Sequence, residues 1–231
     1  MIPDKNLFIV TSSIKPVIGS FIIGPLTDDQ RFSQTISSLK SIRKVVPDAI
    51  IVFADVSIRN LSALEKESIA GLCDAYIDLS EQPDVKLLSQ NSQKSMAENV
   101  LMFFTLHTLK QNNLLKNVKR IFKFSARSEL EESFDISEYD NLFGKYVFKT
   151  RIPTWREQKE PSHLLITRMW SMCPSLVDDY LGVIQKNIFL CEQGLDTEHA
   201  HFVNISQKYL IEFDKIHCWG WLAGNGQIEH Y

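Results

Sequence analysis

The sequence predicts an α/β domain with a mostly parallel central sheet flanked by helices, and three observations predict it. Short apolar, β-branched runs alternate with helically spaced segments as far as residue 127, the rhythm of strand–helix–strand crossovers. The run Ala49-Ile-Ile-Val-Phe-Ala54 is apolar at every position, as a strand covered on both faces must be. Several runs stop abruptly at small polar clusters, which is how buried strands open into loops.

Asn6 to Thr11 is the first strand, opening into Thr11-Ser12-Ser13, and Pro16, Gly19, Gly24 and Pro25 keep the next segment irregular. Phe32, Ile36, Leu39, Ile42 and Val46 recur at helical spacing, so a helix spans 31–46, with Asp28 and Asp29 as its capping acceptors and Pro47 as its stop. The second strand, 49–54, ends at Asp55-Val56-Ser57. Ser62-Ala-Leu-Glu65 is a capping box opening a helix to about Leu72, and Ala75 to Leu79 is the third strand. Ser95-Met-Ala-Glu98 is a second capping box, leading a helix with Met96, Val100, Phe103 and His107 on one face. Lys119 to Phe124 is the fourth strand.

Beyond Arg127 the regularity drops. Phe134 to Tyr139 reads as a loop or short helix, 146–152 and 164–172 as strands, and Pro174 as the first turn of a helix carrying Leu176, Tyr180 and Ile184. A helix spans 197 to about 209, and Ile216 to Gly226 reads as a strand and hairpin, with Gly224-Asn-Gly226 as its turn. No repeat or linker interrupts the chain. A single domain over 1–231 is the simplest organisation, with a first half 1–127 and a second half 128–231.

Composition bounds the function. The chain is 44% hydrophobic and 23% charged, with 14 Phe, 6 Tyr and 4 Trp, which supplies a core and excludes intrinsic disorder. Lys plus Arg at 25 against Asp plus Glu at 28 gives 25 − 28 = −3, without the basic excess of a dedicated nucleic-acid binder. Cys73, Cys173, Cys191 and Cys218 form no CxxC pair, so reduced thiols and a cytoplasmic location are expected rather than a zinc ribbon or disulfide framework. No apolar stretch approaches the ~20 residues that cross a bilayer.

In open α/β sheets, ligands bind beyond the carboxyl ends of the strands. That rule selects Thr11 to Ser13, Asp55 to Ser57 and Ser125 to Arg127. GxGxxG, GxxxxGK[ST] and GxSxG are all absent, which disfavours a dinucleotide enzyme, a P-loop kinase and an α/β-hydrolase. Asp55 has two readings, as an acceptor for a ribose or base edge and as a strand-end carboxylate or helix cap.

Longer-range order adds a resemblance. Arg31-Phe-x-Gln34-Thr35, Ser38-Leu-x-Ser41-Ile42-Arg43, Pro47-Asp48-Ala49, the strand ending at Asp55, Lys94-Ser95-x-x-Glu98 and Phe122-Lys-Phe-Ser-Ala-Arg127 resemble nucleotide-sugar glycosyltransferases of the GT-A kind. More narrowly, the chain is similar to the bacterial and viral WavE-type lipopolysaccharide-synthesis proteins. Phe134-Asp135-Ile136, Thr167-Arg168, Glu198-His199 and Trp219-Gly-Trp-Leu-Ala-Gly224 continue the likeness. It implies a Rossmann-like GT-A fold, a nucleotide-sugar donor and a glycan acceptor. Most GT-A enzymes carry Asp-x-Asp after the fourth strand to hold a divalent cation, Mn or Mg, whereas this chain has Ser125-Ala126-Arg127 there. No residue is assigned as a metal ligand, and both metal-dependent and metal-free transfer stay open.

On this resemblance Thr11, Ser12, Arg31, Asp55, Lys94 and Ser125 bind the nucleotide sugar, and Arg127 neutralises the diphosphate with a planar, permanent charge. Two further readings stay beside it: an ion pair of Arg127 with Glu129 or Glu131, and a solvated Lys94. An inverting transfer needs a base, and Glu198 and His199 are the candidates, against a helix start enriched in acids for dipole reasons. His199 and His201, two apart on a helix, point away from each other and do not share a metal. Trp155 and Arg168 are expected at the acceptor side, with Trp170 and Trp219 in the core. The rival readings are a sugar nucleotidyltransferase and a catalytically inactive sugar-nucleotide-binding or assembly protein.

Overall fold

The structure, a computed structural model, describes residues 5–16, 26–57, 59–89, 94–154, 162–221 and 227–231, with the backbone alone at Lys86, Leu88, Ser89 and Lys94. The first half runs β1 (Lys5–Ser12), α1 (Asp28–Val45), β2 (Ile50–Asp55), α2 (Ala63–Ala70), β3 (Ala75–Asp78), α3 (Pro83–Ser89), α4 (Lys94–Gln111) and β4 (Val118–Ser125). The second half runs β5 (Ser128–Leu130), β6 (Tyr146–Lys149), β7 (Ile152–Pro153), β8 (His163–Leu164), β9 (Met169–Met172), α5 (Val177–Glu192), α6 (Thr197–Asn204), β10 (Leu210–Phe213), β11 (Cys218–Trp221) and β12 (Ile228–His230).

Seven strands form the central sheet in the order β10-β6-β9-β4-β1-β2-β3. All pairs are parallel except those of β9, which runs antiparallel to both β4 and β6. A second sheet, β12-β11-β5, is antiparallel and lies beside α1. Strand order reverses at β1, whose neighbours are β2 and β4, and the carboxyl ends of these three strands bring Thr11, Asp55 and Ser125 to one edge, where the strand-end rule places a candidate site.

β1 explains why the sheet is covered twice. Phe8 and Val10 pack on one side with Leu39 and Ile42 of α1, while Leu7 and Ile9 pack on the other with the cluster around Trp170, Tyr180 and Met102. Phe8 stacks on Phe122 with ring centroids 4.7 Å apart, and Phe148 stacks on Trp170 at 5.3 Å. Truncating such a ring to alanine costs about 3–5 kcal/mol. Trp170 is core as expected. Trp219 is half-buried instead, edge-on to Trp221 at 4.7 Å, because the small sheet it belongs to presents one face outward.

Several local expectations are corrected. The cap of α1 is Thr27, in a reciprocal box with Gln30, and Asp28 and Asp29 occupy the first turn where they favour the dipole. Ser95 is not a cap: α4 already includes Lys94, and Glu98 is drawn to the buried Lys123. The helix from 197 ends at Asn204, and Leu210–Phe213 becomes a strand because β6 offers a parallel edge. The predicted strands 146–152 and 164–172 each split in two. Between β8 and β9 the chain leaves the ladder, held by Leu165 N to Glu198 O at 3.2 Å and by Lys123 Nζ to Thr167 O at 2.6 Å. The Gly224-Asn-Gly226 turn lies outside the described residues.

Candidate active site

The last residues of β1 anchor the loops of the candidate site. Thr11 O accepts from Ala126 N at 3.0 Å and Ser12 O from Val56 N at 3.1 Å, so the loops after β4 and β2 both hang on β1. Ser12 Oγ meets Thr35 Oγ1 of α1 at 3.5 Å. Asp55 is buried with 1% exposure; its carboxylate accepts from Ile14 N at 3.3 Å and Ser57 N at 2.9 Å. Burial drives its pKa up to about 6 against the pull of those bonds. Of the two readings, the geometry is that of a carboxylate fixing the loops after β1 and β2.

The end of β4 carries the charge. Ser125 N donates to Arg168 O at 2.8 Å, which brings residue 168 beside residue 125, and Trp221 N donates to Arg127 O at 3.3 Å. The Arg127 guanidinium is buried; desolvation, then the cations Arg168 and Arg31, push its pKa down to about 9. The ion-pair alternative does not form. Glu131 is instead within 2.7 Å of His230 and 3.8 Å of His217, and among the described residues Arg31, Arg127 and Arg168 make no salt bridge with a carboxylate. Arg31 faces the same end from α1, where burial lowers its pKa and Asp28 raises it. Asp28 itself is bound by Arg59 at 2.8 Å.

Orphaned polar atoms gather here. Arg31 Nε, Gln34 Oε1, Ser38 Oγ, Arg127 Nη1, Ser128 Oγ and Arg168 Nη1 are buried without a hydrogen-bond partner among the described residues. Folded proteins pair nearly all such atoms, so their concentration on neighbouring elements makes this end of the sheet the candidate site. Sequence reasoning missed this grouping in part. Arg31, Gln34, Thr35 and Ser38 fall at i, i+3, i+4 and i+7 on the face that Leu39 and Ile42 mark as buried, a signal that was readable. Arg168, expected at the acceptor side, was not readable as a neighbour of Arg127, because only the antiparallel β4–β9 register, with Phe124 opposite Met169, sets it there.

Behind the arginines, Lys123 is 3% exposed and bonded to Glu98 of α4 and to Thr167 O, which ties α4 to the segment carrying Arg168. Lys94 lies at the start of α4, and its side chain and Trp155 are outside the described residues. Glu198 and His199 lie in the first turn of α6, whose cap is Asp196. Glu198 is half-buried, and its carbonyl anchors Leu165 three residues before Arg168. His199 is buried with Nδ1 at 2.7 Å from Asp196 Oδ1, which fixes Nδ1–H as donor and Nε2 as the basic nitrogen. His201 points into the core instead. Its Nδ1–H donates to Thr197 O at 2.7 Å, its Nε2 accepts from Tyr180 OH at 2.8 Å, and the two histidines share nothing.

A divalent cation does not fit the end of β4. The groups there are guanidiniums, where Mn or Mg would need carboxylate and other oxygen donors, and among the described residues no three His, Cys, Asp or Glu side chains converge as ligands.

No family model matches the chain, and no curated protein matches its sequence. Solved structures do match. Core-mannan synthase A from Aspergillus fumigatus, in its Mn/GDP form, superposes with a TM-score of 0.55 at 10% identity, over 91% of this chain and 73% of that one. The galactosyltransferase LgtC, in complex with donor and acceptor sugar analogs, gives 0.54 at 8% identity over 89% and 72%. The fold is the Rossmann-like GT-A fold. No helix among the described residues is long and apolar enough to cross a membrane.

Proposed function

We propose that the chain is a glycosyltransferase, moving a sugar from a nucleoside diphosphate sugar to a glycan acceptor. The observation that carries this reading is Arg127 at the end of β4, beside the switch point of a GT-A fold, with its buried Nη1 lacking a hydrogen-bond partner among the described residues. In such a transfer the anomeric C–O bond to the diphosphate breaks, and the leaving group takes the electron pair. The acceptor oxygen bonds to the anomeric carbon, and its proton passes to a base. Arg127 supplies fixed positive charge where negative charge builds. Thr11, Ser12, Arg31, Asp55, Lys94 and Ser125 form or support the donor side of the candidate site, and Glu198 or the Asp196-oriented His199 takes the proton. Trp155 and the second half, 128–231, receive the acceptor. The WavE-type likeness supports a lipopolysaccharide, surface polysaccharide or glycoprotein glycan as that acceptor, and the cysteine spacing supports the cytoplasm as the place of action.

The test is incubation with a panel of nucleoside diphosphate sugars, monitoring free nucleoside diphosphate. One donor is expected to be consumed, slowly by water and faster with acceptor, and Arg127→Gln to reduce turnover on the order of 100-fold. Tight binding of a sugar nucleotide without turnover would replace the transferase with an inactive binding or assembly protein. Pyrophosphate-dependent release of a nucleoside triphosphate would replace it with a nucleotidyltransferase.

A further inference from the structure

Arg31, Arg127 and Arg168 come from three separate elements, α1, the end of β4 and the segment before β9, and each keeps a buried nitrogen without a partner among the described residues. Ser125 N donates to Arg168 O at 2.8 Å, which sets Arg168 at the end of β4 two residues from Arg127, and the charges of Arg168 and Arg31 both act on Arg127. The carboxylate that acts on Arg127 is Glu98 and the one that acts on Arg31 is Asp28, and each holds a cation of its own among the described residues, Lys123 and Arg59. A structural role would pair these guanidiniums. Their mutual repulsion costs stability that an anion of two linked phosphates would remove, because each guanidinium offers a fork matched to phosphate oxygens.

We infer that Arg31, Arg127 and Arg168 form a three-guanidinium cradle that binds the diphosphate of the donor directly, without a divalent cation. This deepens the proposed function and rests on it for the identity of the donor, but not for the binding of the anion. Arg168 thereby belongs to the donor side. A nucleoside diphosphate carries more charge than the sugar nucleotide it leaves, so the cradle favours the departing group over the bound donor, the differential that accelerates bond breaking.

The test uses inorganic pyrophosphate as the probe, with the full chain in EDTA, read by calorimetry and thermal melting. Pyrophosphate is expected to bind in EDTA and to raise the melting temperature by roughly 5 °C at a hundredfold excess over its dissociation constant. Added Mn is expected to improve affinity less than twofold. Arg168→Gln should weaken binding at least tenfold while leaving the melting temperature of the unliganded protein equal or higher, since it removes a repelling charge. A merely structural arginine would lower it. Binding that needs Mn, or an Arg168→Gln protein that binds like the wild type, overturns the cradle even if a sugar nucleotide is consumed. Pyrophosphate binding in EDTA with no turnover of any donor keeps the cradle and removes the transferase reading.

Discussion

Asp55 and His201 are both fully buried titrating groups, and burial moves their pKa values in opposite directions, so they pull the stability of the fold opposite ways as pH falls. Desolvation raises Asp55 from an ordinary 3.8 to about 6, so between pH 7 and pH 5 the folded chain takes up a proton that the unfolded chain does not. That uptake adds about 1 kcal/mol of stability on acidification. Desolvation lowers His201 from 6.5 to about 4, so over the same interval the unfolded chain is protonated and the folded one is not. That loss is about 2 kcal/mol, opposite in sign to the gain from Asp55. Urea denaturation at pH 7 and pH 5 should show His201→Gln losing about 2 kcal/mol less than the wild type on acidification, and Asp55→Asn losing about 1 kcal/mol more. Equal losses in all three proteins would refute the assignment. Asp55 was legible as a strand-end acid in the sequence. The bond from Ser57 N, two residues on, is local, but that the carboxylate also binds Ile14 N was not legible, because Ile14 comes from a loop that only the β1–β2 register brings to it.

At the scale of elements, the antiparallel sheet β5-β11-β12 sets the backbone of Arg127. Gly220 lies opposite Ser128, and a Cβ added to it would stand 2.8 Å from Arg127 O and 2.7 Å from Ser128 Oγ. The backbone oxygen cannot yield as a side chain would. Gly220→Ala should therefore push β11 off β5, destabilising the protein by roughly 1–3 kcal/mol and weakening anion binding in proportion to how far Arg127 moves. Thermal melting with and without pyrophosphate measures both, and an unchanged pair of melting temperatures would show the approach to be loose. The Lys123–Glu98 pair makes a second element-scale prediction. Glu98→Ala leaves a buried ammonium without its carboxylate and should cost about 3–5 kcal/mol, whereas Lys123→Met, which keeps the volume and removes the charge, should cost less. A reversed order in denaturant titrations would mean that Lys123 is held mainly by Thr167 O. The four strands and the helix 31–46 of the first half were legible because each carries its own apolar run or period, and the helix 62–72 because of its Ser62–Glu65 capping box. The breaks within 146–152 and 164–172 were not, since they depend on bonds to α6 and Lys123, far away in sequence.

At the scale of the molecule, the two halves share one sheet. β9, β6 and β10 from beyond residue 128 continue directly from β4, and their side chains fill the same core as Leu7, Ile9 and Ile121. Residues 1–127 alone would expose that face of β4, so the whole chain should unfold in one transition, with equal calorimetric and van't Hoff enthalpies. Two separable transitions would divide it into domains. The sequence by itself determined the α/β class, the alternation along the first half, the polar clusters at the strand ends and the charge at Arg127, because periodicity and turn chemistry are local properties. Only the tertiary structure decided that Asp55 braces the loops, that Arg168 stands beside Arg127 and Arg31, and that among the described residues no carboxylate neutralises them. Those facts depend on the antiparallel insertion of β9 and on which groups are shut away from water, and neither pairing partner nor burial is written in any short stretch of chain.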